Sequence, residues 1–151
     1  MQVPPPPHPL MLPVLATVTY LAALIATWGF TSLLLDVDVV TDPDASRLIG
    51  PAMAGAATVV VFLAVRRVAE RASPWVAAAG ASTGAYIGII ATAGIGRFLD
   101  AADAATGVVF AGTFAASPFA LLPALLAGVT VIVTWALRPQ RRAFDRVPQR
   151  D

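Results

Sequence analysis

Residues 75–96 read WVAAAGASTGAYIGIIATAGIG, an uncharged run in which Gly80, Gly84 and Gly88 recur every four residues. As a helix rising about 1.5 Å per residue, this run is long enough for a hydrocarbon core of about 30 Å. Four residues advance a helix by slightly more than one turn, so the glycines stack on one stripe, which Ala77, Ala81 and Ala91 extend and widen. Trp75, Ser82, Tyr86 and Ile89 put side-chain volume on the opposite face. A stripe without volume lets a neighbouring backbone come close. The spacing therefore predicts a membrane-spanning helix with a packing seam, on which Gly84 is the position least able to accept bulk.

Composition extends that reading to the whole chain. Of 151 residues, 58% are hydrophobic and 13% charged, which makes the bilayer a better solvent than water for most of them. Cysteine is absent, so there is no disulfide, no thiolate metal site and no cysteine nucleophile. All ten basic residues are Arg and Ala dominates the apolar set, a bias expected of a high-GC bacterium.

Working outward, three more apolar runs flank the glycine helix. Residues 10–35 carry no charge and form a first span, with Pro13 in its opening turns, where a missing N–H is tolerated. Tyr20 and Trp28 suit either membrane-interface anchors or contacts between helices. Residues 48–65 form a short second span whose first half is crowded with Gly50, Gly55 and alanines. Two antiparallel neighbours would bring Gly55 and Gly84 to similar depth, so the four packing positions expected are Gly55, Gly80, Gly84 and Gly88. Residues 108–137 are too long for one untilted span. Ser117, Pro118 and Pro123 supply a kink or break near 117–123, leaving either one bent helix or an apolar arm over 108–116 at the outer surface followed by a span. Any non-helical backbone at that depth has to be covered by protein.

The segments between the runs are polar. Residues 1–9, MQVPPPPHP, favour a flexible polyproline tail, and with no basic residue before Arg47 a cleaved secretory signal is not expected. Asp36, Asp38, Asp42 and Asp44 crowd the first loop. Clustered carboxylates suit calcium, but this spacing lacks the glycine and distal Glu of an EF-hand, and a solvated loop is the simpler expectation. Ser73-Pro74 is a cap-and-start signal for the glycine helix. Beyond that helix, Arg97 and Asp100 are spaced to pair if the helix continues.

Arginine sets the orientation. The loop of Arg66, Arg67 and Arg71 and the tail 138–151, with Arg138, Arg141 and Arg142, hold most of the arginines, whereas each of the other two loops holds one. The positive-inside rule then places both termini in the cytoplasm, with Arg66, Arg67, Arg71, Arg138, Arg141 and Arg142 as membrane-surface anchors. The fold class expected is an all-α polytopic membrane protein, with four transmembrane helices in an antiparallel bundle over residues 10–137.

The Pro-rich start, the four spans, the junction DVDVVTDPDASRLIGPAMAGAA over 36–57 and the Arg-only basic tail resemble small uncharacterised four-helix membrane proteins of high-GC actinobacteria. The resemblance implies a lineage and an architecture, and it brings no activity or functional residues.

Function is bounded mainly by exclusion. None of the four apolar runs contains Asp, Glu, Lys, Arg or His. Intramembrane charge is the usual mark of ion- or proton-coupled transport, and haem or hydrolytic chemistry would need ligands and nucleophile–base sets that these runs and loops do not offer. The expectation is a non-enzymatic structural or accessory protein of the bacterial cytoplasmic membrane, multi-pass, with no cofactor, no metal and no nucleic acid. Its partners would be the lipid bilayer and another membrane protein or further copies of itself, met through Gly/Ala-rich faces. The alternative is a small transporter or channel component with a path lined by Thr17, Thr27, Thr31, Ser82, Thr83, Tyr86 and Thr92.

Overall fold

The structure, a computed structural model, describes residues 10–40, 42, 45–68 and 73–137. These residues contain no strand and form α1 (Met11–Leu35), α2 (Ile49–Val68), α3 (Pro74–Ala101), α4 (Ala104–Ala115) and α5 (Pro118–Ala136). Of these, α1, α2, α3 and α5 are each long and apolar enough to cross a membrane.

Local chemistry explains most of the boundaries. Helix α1 stops at Asp36, which takes a left-handed conformation and turns its N–H back to the Ser32 carbonyl. Arg66 and Arg67 occupy the last turn of α2, where cations complement the negative end of the helix dipole. Pro74 opens α3 at a position that needs no N–H donor, while the Ser73 side chain makes no capping bond. The third helix continues past its expected end at 96 and carries Arg97 and Asp100 into its last turns. It ends at Ala102, again left-handed with φ of 52°. Asp103 then caps α4 by accepting from the N–H groups of Ala105 and Thr106.

The last apolar run is broken rather than bent. Helix α4 ends at Ala115, the Ser117 N–H folds back to the Phe114 carbonyl at 3.0 Å, and Pro118 starts α5. Helix α4 runs antiparallel to the second half of α3, with Gly107 against Gly94 and Phe98.

Helix α3 packs against α2, α4 and α5, and α1 packs against α2 and α5. Ala77, Ala81, Ala85, Ile89 and Ala93 form its buried stripe, in one core with Ala57, Val61 and Val65 of α2 and Ala120, Ala127 and Val131 of α5. Alanine at successive four-residue steps gives a smooth face that two neighbours can share.

Candidate functional site

The break between α4 and α5 gathers the polar chemistry of the apolar region. A proline inside a helix removes the donor for the carbonyl four residues earlier, so Pro123 leaves the Phe119 oxygen without its helical partner. Trp28 Nε1 donates to that oxygen at 2.8 Å. The Tyr20 hydroxyl donates to the Pro123 carbonyl at 3.2 Å, and the Tyr86 hydroxyl donates to the Ala115 carbonyl, in the last turn of α4, at 2.9 Å. Three aromatic donors from α1 and α3 thus cover carbonyls on both sides of the break, at 115 in α4 and at 119 and 123 in α5. Tyr20 and Trp28 are buried contacts between helices, not interface anchors. The Trp28 pairing removes the cost, about 1–3 kcal/mol, of an unpaired buried acceptor, whereas Tyr20 satisfies its own hydroxyl on a carbonyl inside α5.

Beside the break lies a hollow of about 220 Å³, lined in part by Asp38, Val39, Phe110 and Ser117. The Ser117 hydroxyl is buried there and has no hydrogen-bond partner among the described residues.

Of the seven hydroxyls expected to line a path, those of Thr17, Thr27 and Thr92 are spent on their own helices and that of Tyr86 on α4. Thr17, Thr27, Thr58, Thr92, Thr130 and Thr134 each donate to the carbonyl four residues earlier, at 2.6 to 2.8 Å. Ser82 packs its hydroxyl against Gly128, and Thr83 is exposed on the far side of α3.

The expected glycine seam divides. A Cβ on Gly84 would sit 2.9 Å from Val60 Cγ1, and one on Gly88 would touch Ala56 and Val60 at 3.9 Å, so both glycines face α2. Gly55 and Gly80 have nothing within 4 Å, and the contact expected between Gly55 and Gly84 is made by Val60 instead. Val60 lies one turn beyond Ala56 on α2, and its branched side chain fills the space a glycine pair would have closed. The tightest approaches fall elsewhere. A Cβ on Gly107 would meet the Gly94 oxygen at 2.8 Å and Phe98 Cβ at 2.9 Å, and one on Gly96 would meet Ile49 Cγ1 at 2.8 Å. Gly128 abuts Ser82 and the Ala78 carbonyl in the same way.

A polar clasp holds the loop before α2 to the end of α3. Arg97 Nε lies 2.7 Å from Asp42 Oδ2, and Asp100 Oδ2 accepts the Ser46 N–H at 2.7 Å. The pairing expected between Arg97 and Asp100 is thus replaced by two links to the loop. Val39 and Val40 of that loop pack onto the core. The cap residue Asp103 has its carboxyl held below the usual aspartate range, first by the Thr106 hydroxyl and then by the Thr106 and Ala105 N–H groups. No group of three or more His, Cys, Asp or Glu placed to hold a metal occurs among the described residues. Of the expected anchors, Arg66 and Arg67 are exposed at the end of α2, while Arg71, Arg138, Arg141 and Arg142 lie outside the described residues.

The fold and its site define an all-helical protein whose four long helices are apolar enough to cross a membrane. The chain belongs to a family of unknown function, DUF6121, whose model matches residues 8–150. No curated protein and no solved structure matched the chain.

Proposed function

We propose that this protein is a non-enzymatic accessory component of a bacterial cytoplasmic membrane, with four antiparallel spans and both termini in the cytoplasm, that packs laterally against another membrane protein or itself. The observation that carries this reading is how the polar groups of the apolar region are used. The proline-freed carbonyl and the end of α4 are covered by aromatic donors, and six threonines bond to their own helices. The outward side of α3 carries the small residues Ala79, Gly80, Thr83 and Ala91 between the larger exposed Trp75, Val76, Ile87 and Ile95. Small outward residues let a neighbouring helix approach, which is where association between membrane helices draws its energy.

A second reading, a small transporter or channel component, is favoured by the interruption of the last helix level with Tyr86, near the middle of α3. Discontinuous helices at such depth recur at transport sites. One pair of measurements separates the two. Recovery of a stoichiometric partner or a defined oligomer in mild detergent supports the accessory role. Solute flux into liposomes holding this chain alone supports the transporter and overturns the first reading.

A further inference from the structure

We propose that the groove between α1 and α2 seats one bilayer phospholipid, with an acyl chain between the helices and the phosphate on Arg47. The groove holds about 650 Å³ between Leu21, Ile25 and Trp28 of α1 and Pro51, Ala54 and Gly55 of α2. That volume falls within the range of small-molecule sites, about 300–1,000 Å³. Gly50 and Gly55 of α2 leave this space open, since a Cβ at either would meet nothing within 4 Å. Thr58, on the same wall, has already given its hydroxyl to the Ala54 carbonyl at 2.7 Å. A dry groove between two helices apolar enough to cross a membrane faces hydrocarbon, so an acyl chain fills it in preference to water.

Charge identifies the other half of the ligand. Arg47 lies in the turn that leads into α2, two residues before the helix starts and three before Gly50, the first α2 residue of the groove. The backbone is already turning there, since the Ile49 N–H reaches the Ser46 carbonyl and the Ala52 N–H the Leu48 carbonyl. Arg47 is exposed and has no partner among the described residues, whereas Arg97 at the same end lies against Asp42. A guanidinium presents paired donors that fit phosphate oxygens. Arg47 and the groove residues of α2 therefore follow one another along the chain in the order in which a phospholipid carries phosphate and acyl chain.

The inference rests on the membrane reading above but is independent of the accessory role, so solute flux would leave it standing. The test is native mass spectrometry of the full chain released from micelles doped with phosphatidylglycerol or phosphatidylethanolamine. The wild-type protein is expected to retain one phospholipid of either headgroup. Arg47→Gln should lower the lipid-bound fraction about fivefold, the factor one basic side chain contributes near headgroups. Gly55→Leu should abolish retention by filling the groove, and Gly80→Leu, on another surface, should leave it at the wild-type level. Melting temperatures measured alongside separate lost binding from lost folding, and the exposed Arg47 keeps one informative variant folded in any case. Wild-type retention in both Arg47→Gln and Gly55→Leu would overturn the proposal. So would detergent alone in the wild-type spectrum, or a lipid-free dimer that Gly55→Leu disrupts.

Discussion

Trp28 Nε1 stands 2.8 Å from the carbonyl oxygen of Phe119, the one oxygen in α5 that Pro123 deprives of a helical donor. The indole of the first helix thus completes the hydrogen bonding of the last. Trp28→Phe keeps most of the buried ring and removes the donor, so it should lower stability in detergent by about 1 kcal/mol. The diagnostic variant is Pro123→Ala, which restores an N–H to Phe119. In that background Trp28→Phe should cost measurably less, and thermal melts of the four proteins form the cycle that reads the coupling. Additive effects would mean that the indole contributes only packing.

The glycine contacts set an order of tolerance. Gly107→Ala should be among the most damaging changes, by about 1–3 kcal/mol, because its Cβ meets the Gly94 oxygen and Phe98 Cβ at 2.8 and 2.9 Å. Gly84→Leu should follow, since Val60 stands in its way, while Ala79→Leu and Gly80→Leu should leave monomer stability near wild type. Melting temperatures in one detergent rank the set. Equal values for Gly84→Leu and Ala79→Leu would show that the seam carries no packing role.

Acid should loosen the start of α4. The Asp103 carboxyl is lowered in the folded state, so its contribution is present above the unfolded value and is lost as pH falls through the folded one. An NMR titration of the Thr106 amide should therefore show a midpoint below that of an ordinary aspartate. Asp103→Ala should speed hydrogen exchange at Ala105 and Thr106 at neutral pH and remove the titration.

Topology is open to a direct check, because the chain has no cysteine of its own. Single cysteines at Ala45 and Ala102 should react with an impermeant thiol reagent on intact cells, and one at Ala143 should react only after permeabilisation. The opposite pattern would invert the orientation.

The positions of the long helices were legible because uncharged runs and the Ser73-Pro74 start are local signals, and α1 begins and ends within a residue of its expected bounds. The extension of α3 to Ala101 was not. Arg97 and Asp100 read as the start of a loop, and only the fold shows them clasped to Asp42 and Ser46. The glycines divide for a related reason. A missing side chain permits a close approach without specifying one, so Gly84 found Val60 while Gly55 and Gly80 found open space. Gly94 and Gly107 touch because of where α4 docks, which no local pattern encodes. The orphaned Phe119 carbonyl, by contrast, was implicit in Pro123 alone. Its donor was not, since Trp28 lies 91 residues away in the chain.

That separation bears on how the protein is made. Synthesis proceeds from the N-terminus, so on the membrane placement proposed above α1 inserts with its two donors unmatched and keeps them so until the final helix has been translated. Helix α5 for its part arrives carrying an acceptor that lipid cannot satisfy. Neither is at rest until they meet, and a nascent chain halted before Pro118 lacks the segment that would silence Tyr20 and Trp28. Such a stalled product presents a buried-type polar surface to the bilayer, a difference that a membrane protease could read as the mark of an unfinished molecule.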